Sequence, residues 1–587
     1  MALRGFEEIS FYYDILKQIF DNLPFEDQLR LARVSSVTQF VFANYVWPIR
    51  YGCLKIFTTF GGEFLICNES DRNCKLLRPT ALQEFLRYYA TNVEELWVDK
   101  PWNFQYFTKL KALLCDGLHF NLKIIDQVAA QLPHLLKFQV KHLKCGKRHF
   151  DETILESLLK LSHLRELELE FYNDNSDKKI KYPQFCKLLS KLKLDVLKLS
   201  FEVEPETSVG QSFSSETLRD LTIMATFSKE KWLNNYDSFL GIFANLKSLT
   251  LRHPYQQYMD YSSLEAITSS CGKLETLHLY GILFSPIAIF TIPASLKELR
   301  VELCYGLTYK NLQQILTQNP NLCKFLSQCS DYMGDFISFP ISPAIEILEL
   351  DRVELSRFPQ VYERNENLKE LTWHSHWMWG DNADDVINVS LITAPRLATC
   401  LNLQTLNMVC CHMSVSVLQE LKHLQKLKTE LNLPKDWSEV VALLQHPSLT
   451  ELEIAFEFQE DDKKLAPKCD ELQTNVTRLT LQYPHNLGED LDFWLDLLNQ
   501  NRNMKLSLFC WKTHYTNINE LIWHPKFPAF LKAIYVQGIQ IAYNELKTNY
   551  DAIINDLKKL KYIYSENEEE EMMDKFDICL WYQKRLK

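Results

Sequence analysis

A recurring spacing of apolar residues constrains the fold of this chain more than any other feature. In the segment Leu296-Lys-Glu-Leu-Arg-Val, apolar residues stand at the first, fourth and sixth positions. The same spacing begins at Leu164, Leu246, Leu274 and Leu449, and in weaker form at Val93, Leu368 and Leu531. About 18 copies lie between Val93 and Val536, at a mean period of about 26 residues. A chain with this periodicity is a tandem array of one small structural unit.

Each copy has the pattern of a short strand followed by a helix. The last two apolar positions alternate with polar residues, which is typical of a strand with one buried face. Apolar residues at helical spacing, such as Ile154, Leu155 and Leu158, lie between the copies. One strand and one helix cannot bury their own apolar faces, whereas stacked copies can. The predicted fold is therefore an α/β leucine-rich-repeat solenoid, a horseshoe with one strand and one helix per repeat, over residues 91–540.

The composition argues against several classes of protein. The 587 residues exceed the roughly 250–300 residues of a single globular core, a limit that a solenoid avoids by growing along one axis. The net charge of −11, without a stripe rich in Lys and Arg, argues against nucleic-acid binding. There is no run of about 18 apolar residues and no signal-peptide core in the first residues. We therefore expect no membrane contact and a cytoplasmic and/or nuclear location.

The sequence contains few signs of catalysis or metal binding. It has no Gly-x-Ser-x-Gly elbow and no phosphate-binding loop, so we predict neither an enzyme nor a bound cofactor. His374 with His376, and Cys410-Cys411-His412, are fragments of a metal site, whereas zinc needs four convergent ligands. We therefore predict no metal site. The 16 cysteines include no CxxC pair and are expected to be reduced side chains of the core.

Residues 6–50 do not follow the repeat and are predicted to form a small module of three helices. Ile15, Leu16, Ile19, Phe20 and Leu23 lie at helical spacing on one face, and Pro24 ends that helix. A second helix continues through Leu29 to Val34, and a third segment carries Phe40, Val41 and Trp47. A core this small is barely stable by itself. Such a module either packs on the solenoid or docks on another protein.

The segment from Phe11 to Ser35 resembles the F-box motif. Asp14-Ile15-Leu16 and Ile19-Phe20 match its first helix, and Leu23, Asp27, Leu29 and Val34 match its second. The segment departs from the motif where Phe11-Tyr12 replaces the usual Leu-Pro, Ser35 a usual Cys and Thr38 a common Trp. An F-box followed directly by leucine-rich repeats is characteristic of one group of F-box proteins.

The resemblance implies that the chain is a substrate receptor of a cullin–RING ubiquitin ligase of the SCF type. Its F-box would dock the Skp-type adaptor, and through it the cullin scaffold, while the repeats hold an unknown protein substrate. Other subunits transfer ubiquitin, so the chain would carry no catalytic residue. The residues expected to contact the adaptor are Ile15, Leu16, Ile19, Phe20, Leu23, Pro24, Leu29 and Val34. The alternative is a leucine-rich-repeat scaffold outside any ligase, whose N-terminal helices only cap the solenoid.

The alternation within each strand predicts which side chains line the concave face of the solenoid. Candidate substrate-binding residues are Glu298, Arg300, Glu302, Glu349, Asp351, Glu370 and His374 on this face, with Trp377 and Trp379 in the long connection that follows. Glu166, Glu168 and Glu170 occupy the same positions in an earlier repeat. Strands about 4.8 Å apart bring such carboxylates close enough for their fields to add, which would attract a partner rich in Lys and Arg. The alternative is that the charges serve only solubility.

Two further segments flank the repeats. Apolar runs on either side of Gly61-Gly62 predict a β-hairpin within residues 53–90, the N-terminal cap of the solenoid. In residues 541–587 the pattern predicts a long amphipathic helix from Tyr543 to Tyr564, then an acidic run, Glu568–Glu571, and a tail. The alternating apolar residues of that tail leave open a return of the chain along the concave face.

Overall fold

A computed structural model provides the structure of the protein. It describes residues 13–23, 25–58, 64–68, 74–117, 120–143, 152–171, 179–204, 215–224, 243–252, 258–259, 267, 269–284, 292–328, 332–333, 342–351, 366–374, 397, 400–409, 415–433, 437–458, 472–483, 491–501, 504–514, 533–540, 560–564 and 575–582. The chain divides into two compact units, a first unit Met1–Leu296 and a second unit Lys297–Lys587. Both units are built on a parallel sheet that does not close on itself.

The first helices form the N-terminal module. They are α1 (residues 13–22), α2 (Phe25–Ala32), α3 (Ser36–Val41), a π-helical turn (Phe42–Val46) and α4 (Trp47–Arg50). A capping box starts α3, because the Ser35 hydroxyl accepts a hydrogen bond from the Thr38 N–H while the Thr38 hydroxyl accepts one from the Ser35 N–H. The wider π-helical turn that follows shifts the register of the later side chains relative to a regular α-helix.

The rest of the first unit alternates strands with helices. Its strands are β1 (Cys53–Thr58), β2 (Phe64–Asn68), β3 (Cys74–Leu77), β4 (Glu95–Val98), β5 (Ala112–Asp116), β6 (Lys137–Leu143), β7 (Glu166–Phe171), β8 (Lys179–Lys181), β9 (Val196–Glu204), β10 (Asp220–Met224), β11 (Ser248–Arg252), β12 (Tyr258–Met259), β13 (Thr276–Tyr280) and β14 (Leu283–Phe284). Its helices are α5 (Pro79–Tyr89), α6 (Lys123–Gln131), α7 (Glu152–Leu159) and α8 (Tyr182–Lys191), with 3₁₀ turns at Ala90–Asn92 and Phe104–Tyr106.

Nine of these strands form the parallel sheet of the first unit, in the order β1, β4, β5, β6, β7, β9, β10, β11 and β13. At one end, β2 pairs antiparallel with β1 and with β3, as the predicted hairpin requires, while Gly61-Gly62 themselves lie outside the described residues. Helix α7 packs between α6 of the preceding repeat and α8 of the following one. From β5 to β9, strands and helices thus alternate as the repeated spacing predicts.

The second unit repeats this plan. Its strands are β15 (Glu298–Glu302), β16 (Leu307–Thr308), β17 (Lys324–Gln328), β18 (Tyr332–Met333), β19 (Ile347–Asp351), β20 (Glu370–His374), β21 (Thr405–Val409), β22 (Lys426–Leu433), β23 (Glu451–Phe458), β24 (Arg478–Tyr483), β25 (Lys505–His514), β26 (Ala533–Gln540), β27 (Leu560–Tyr564) and β28 (Lys575–Tyr582). Its described helices are Tyr309–Gln318, Val415–Leu418, Trp437–Leu444 and Leu491–Gln500. Ten strands run parallel in the order β15, β17, then β19 to β26.

The C-terminal strands differ from the sequence-based prediction. The helix predicted to end at Tyr564 is wrong at that end, because Leu560–Tyr564 forms β27, while residues 543–559 and the acidic run lie outside the described residues. Strand β28 pairs antiparallel with β26 and β27 pairs antiparallel with β28. The backbone groups on the free edge of β26 are thereby satisfied, which a helix could not do. The strand Lys575–Tyr582 therefore lies in the plane of the sheet rather than across its face.

Burial alternates along the parallel strands as the sequence predicts. Leu249 and Leu251 in β11 pair in register with Leu277 and Leu279 in β13, and all four side chains are fully buried. Leu299 in β15 is fully buried as well. Because successive side chains of a strand point to opposite faces, the residues between these leucines lie on the other side of the sheet, where they are half-buried. We call that side the open face.

Backbone and side-chain hydrogen bonds connect successive repeats in a regular way. The N–H groups of Glu275 and Thr276 both donate to the carbonyl of Lys247, and the same double donation recurs at most steps of both units. The residue before the first apolar position of a repeat often adds a side-chain donor to a carbonyl of the preceding repeat, as do Asn245, Ser295, Asn367, Asn402 and Asn475. Carbonyls at the junctions between repeats thereby accept hydrogen bonds, and these bonds fix the register in which successive repeats stack.

Candidate functional site

The N-terminal module has an aromatic core of its own. Phe20 of α1, Phe42 and Trp47 are fully buried, and so is Tyr51, which follows α4. The ring centroids of Phe20 and Phe42 lie 5.2 Å apart, those of Phe42 and Trp47 5.8 Å, and those of Trp47 and Tyr51 4.7 Å. The π-helical turn brings this about, because it directs both Phe42 and Trp47 inward from consecutive turns of the helix.

This core continues into helix α5 of the first repeat. The Trp47 indole is stacked on Tyr89 at 5.2 Å and meets the Phe85 ring edge-on at 5.3 Å. Next to these rings, the Asn92 side-chain amide donates to the carbonyl of Ala43 in the π-helical turn at 2.9 Å. One side of the module is therefore committed to packing on the repeats, as a solenoid cap requires.

A buried polar contact ties α1 to the rest of the module. The side-chain amide of Gln28, which is fully buried, donates to the carbonyls of Phe20 at 2.8 Å and Leu23 at 2.9 Å. The Tyr51 hydroxyl donates to the Gln28 side-chain oxygen at 2.8 Å. Burial raises the pKa of Tyr51 well above its usual range, so the hydroxyl stays protonated and remains a donor. The sequence contains no pattern from which this contact could have been found.

The module also exposes apolar side chains that its core does not use. On α1, Ile15 is 39% exposed and Ile19 is 44% exposed, and Val34 after α2 is 73% exposed. Ile15 and Ile19 lie about 140° and 100° around the helix axis from the inward-facing Phe20. The apolar arc of α1 is thus wider than the core can cover, and part of it faces solvent.

A second set of exposed apolar residues lies on the later helices of the module. The rings of Tyr13, Phe40 and Tyr45 form a cluster with centroid distances of 5.6, 5.8 and 6.0 Å, and Phe40 and Tyr45 are nearly half exposed. Val37 and Ile49 are exposed too. The sequence-based prediction missed these residues, because the apolar residues of this segment are nearly contiguous and the π-helical turn decides which of them point outward. We call all of these exposed residues of the module the apolar patch.

The structure divides the residues predicted to contact the adaptor into three groups. Phe20 and Leu29 are buried in the module itself and cannot touch a partner in this conformation. Leu16 and Leu23 are half-buried, whereas Ile15, Ile19 and Val34 are exposed and belong to the apolar patch. Pro24 lies outside the described residues. The prediction that the apolar residues of α1 form a single docking face is therefore incorrect. Phe20 packs in the core of the module, whereas Ile15 and Ile19 are exposed on another side of the helix.

The open face of the second unit carries the residues predicted to bind a substrate. Glu298, Arg300 and Glu302 of β15 are half-buried there, between the buried Leu299 and Val301. Their charges are largely balanced. Lys324 of β17 lies 3.1 Å from Glu298, and Arg300 lies 3.4 Å from Glu302.

The open face of the first unit is balanced in the same way. Glu166, Glu168 and Glu170 of β7 each have a cationic neighbour, namely Lys137 at 3.3 Å, Lys198 at 3.9 Å and Arg252 at 3.3 Å, respectively. The parallel register brings the lysine of a neighbouring strand to the same level as the glutamate. The predicted accumulation of acidic charge is therefore incorrect for β7 and β15, because each of these glutamates has a cationic neighbour.

Strands β19 and β20 carry the remaining acidic residues of the predicted surface, Glu349, Asp351 and Glu370. Glu349 accepts a hydrogen bond from the Gln328 amide at 2.6 Å, and Glu370 is exposed. In the backbone register, Asp351 stands opposite His374. Trp377 and Trp379 lie outside the described residues, as do His376 and Cys410-Cys411-His412. The carboxylates at β19 and β20 thus remain candidates for a substrate-binding surface.

The described residues form neither a metal site nor a helix that could span a membrane. In the described part of the chain, no group of three or more His, Cys, Asp and Glu side chains converges in a way that could hold a metal ion. Nor does any described helix have the length and apolar content needed to cross a bilayer.

No protein-family model matches the sequence, and no curated protein matches it either.

Proposed function

We propose that this chain is the substrate-recognition subunit of an SCF-type ubiquitin ligase. The N-terminal module docks a Skp-type adaptor, and through it a cullin scaffold, by means of the apolar patch. The repeats hold the protein to be ubiquitinated, and the chain itself carries no catalytic residue. Such a receptor acts in the cytoplasm and/or the nucleus.

The exposed half of α1 is the observation that supports this proposal most strongly. A helical cap needs one apolar face, and the module already uses one, with Phe20 directed into the core and Trp47 stacked on Tyr89. Capping leaves Ile15 and Ile19 unused. Exposed apolar side chains on one side of a helix, as Ile15 and Ile19 are, commonly mark protein-interaction sites, and aliphatic and aromatic anchors contribute most of the binding energy in such sites. The match of Asp14-Ile15-Leu16 and Ile19-Phe20 to the F-box motif indicates which partner this is.

The docking surface can be tested on the full chain with two substitutions. Ile15→Asp combined with Ile19→Asp places two charges in the apolar patch without touching the buried Phe20. Each anchor contributes on the order of 2 kcal/mol or more, so the Kd for purified Skp-type adaptor should rise at least about 100-fold. Circular dichroism and thermal unfolding should match those of the unaltered chain, because both side chains face solvent.

A matched control uses Leu136→Asp. Leu136 is 40% exposed, comparable with Ile15, but it precedes β6 and lies outside the module. This variant should bind the adaptor as tightly as the unaltered chain. Equal binding by the folded double variant, or no binding by the unaltered chain, would rule out the ligase proposal.

The second candidate function is a scaffold whose N-terminal helices only cap the solenoid. The continuous aromatic packing from Phe42 through Trp47 to Tyr89 favours it, because this packing is what a cap needs. A scaffold would not bind the adaptor, and its partners would not be ubiquitinated. Capture of partners by the full chain under proteasome inhibition separates the two functions. A receptor should yield partners whose ubiquitination is lost in the Ile15→Asp, Ile19→Asp variant while their capture persists.

A further inference from the structure

Three side chains converge on the C-terminal end of helix α1. Gln28 donates from its amide nitrogen to the carbonyls of Phe20 at 2.8 Å and Leu23 at 2.9 Å, and Tyr51 donates to Gln28 at 2.8 Å. Arg50, next in the chain to Tyr51, donates to the carbonyl of Asp21 at 3.1 Å and forms an ion pair with its carboxylate at 3.0 Å. We call Gln28, Arg50 and Tyr51 the polar clamp.

The polar clamp provides hydrogen-bond donors for carbonyls at the C-terminal end of α1. The last carbonyls of a helix have no partner within the helix, and they are usually satisfied by water or by a glycine-based cap. Here the end of α1 lies against the module core. The buried Gln28 and the half-buried Arg50 supply donors, in addition to the Leu23 N–H that donates to the Phe20 carbonyl at 3.1 Å. A buried Gln28 oxygen without its tyrosine partner would be left unsatisfied, which makes the contact sensitive to the loss of a single hydroxyl.

The clamp acts on the helix that carries Ile15 and Ile19 of the apolar patch. Ile19 directly precedes Phe20, whose carbonyl the Gln28 amide binds, and Ile15 lies one turn earlier on the same side. A change at the clamped end therefore shifts Ile19 and Ile15 together. Gln28 and Tyr51 are fully buried and cannot contact a partner themselves.

We propose that Gln28, Arg50 and Tyr51 are positioning residues of the docking surface, which hold α1 in the orientation that presents Ile15 and Ile19 to the partner. This role rests on the proposed function, since it requires that the apolar patch docks the adaptor. It deepens that function, because the affinity for the adaptor then depends on hydrogen bonds inside the module as well as on the residues at its surface.

Tyr51→Phe tests the clamp most directly, because it removes one hydroxyl and keeps the ring that packs on Trp47 at 4.7 Å. In the full chain we expect the adaptor Kd to rise about tenfold. In the free chain, amide hydrogen exchange should become faster in α1 and stay unchanged in the repeats. Tyr88→Phe is the matched control, because it removes a hydroxyl from an exposed ring of α5, and neither its affinity nor its exchange should change.

A double-substitution cycle separates positioning from general destabilisation. If the clamp acts through the presentation of Ile19, Tyr51→Phe should lose most of its effect in an Ile19→Ala background, falling to less than about threefold. A merely structural role would give the same fold-change in both backgrounds. Should Tyr51→Phe fail to fold, Arg50→Lys gives the second measurement. It keeps the charge next to Asp21 and removes one of the two contacts, so we expect a rise in Kd of about threefold.

The outcomes distinguish this proposal from the one it rests on. If the unaltered chain binds the adaptor but Tyr51→Phe changes neither the Kd nor the exchange of α1, the positioning role is overturned and the proposed function stands. An effect of equal size with and without Ile19 overturns it as well. If the unaltered chain does not bind the adaptor at all, both proposals are overturned.

Discussion

The Trp47 indole is stacked on the Tyr89 ring, with 5.2 Å between the ring centroids and 27° between the ring planes. This pair joins an N-terminal module to the helix of the first repeat. Both residues are buried, and Phe85 completes the contact. The module is therefore packed on the helix of the first repeat through buried aromatic rings.

Trp47→Ala should detach the module from the first repeat. Removing a fully buried tryptophan typically costs about 3–5 kcal/mol in the free energy of unfolding, so residues 13–51 and α5 should lose protection against hydrogen exchange. Ile49→Ala, at a 71% exposed position of the same helix, should leave exchange unchanged. Similar exchange in both variants would mean that the aromatic stack does not stabilise the junction.

Leu277→Ala should destabilise the first unit locally. Leu277 is fully buried and pairs with Leu249 of the neighbouring strand, so its truncation should cost about 2–5 kcal/mol in transfer energy and cavity formation. Because repeats interact with their nearest neighbours, hydrogen exchange should rise first in β11 and β13 and only later towards β1. Leu401→Ala, at an exposed site, is the control. Equal loss of protection along the whole unit would contradict nearest-neighbour stacking.

Charge reversal on the open face tests the substrate-binding surface. Glu349→Lys with Glu370→Lys should weaken capture of the partner at low salt, and the deficit should shrink at high salt, because screening weakens the repulsion of a basic partner. Capture can be compared by quantitative mass spectrometry of pull-downs. Glu366→Lys with Glu420→Lys makes the same change in net charge at exposed turn positions and should have little effect. An equal loss of partner capture in both double variants would mean that the binding surface does not lie on β19 and β20.

The environment of His446 predicts that the stability of the protein depends on pH. Its Nδ1 accepts a hydrogen bond from the Ser448 N–H at 3.3 Å while Nε2 lies 3.0 Å from the Leu418 carbonyl, an arrangement that requires the neutral ring. Burial lowers the pKa of His446 below its ordinary value of about 6.5. The unfolded chain therefore binds the proton more tightly, so stability is lost as the pH falls below about 6.5.

His446→Gln should make the stability of this region less dependent on pH. The urea midpoint at pH 5.5 and 7.5 is the measurement, and the difference between the two should be smaller in the variant. His423→Gln, at an exposed position of the same unit, should keep the difference of the unaltered chain. An unchanged difference in His446→Gln would show that other groups control acid sensitivity.

Several features of this protein could be predicted from the sequence because they depend on periodicity. The repeated spacing predicted short strands whose leucines are buried, and Leu249, Leu277 and Leu299 are all fully buried. The runs around Gly61-Gly62 predicted the antiparallel pairing of β1 and β2. Side-chain alternation in a strand is a local property, so local sequence is enough to determine it.

Other features depended on contacts between distant parts of the chain. The apolar residues of α1 satisfy a helical pattern whichever side faces inward. In the structure Phe20 packs on Phe42 of a later helix and is buried, while Ile19 is exposed. The strand Leu560–Tyr564 has a pattern that suits a helix as well, and pairing with β28 selects the strand. The neutralisation of Glu168 by Lys198 depends on the register of two strands.

The sequence by itself thus determined the repeating strands, their buried leucines and a separate helical module before them. Only the tertiary structure decided which apolar residues of that module remain exposed, and that Gln28 and Tyr51 hold its first helix. The physical reason is that periodicity describes the environment of a residue relative to its own helix or strand. Whether a face is covered depends on what packs against it, and here the covering groups come from other segments of the chain.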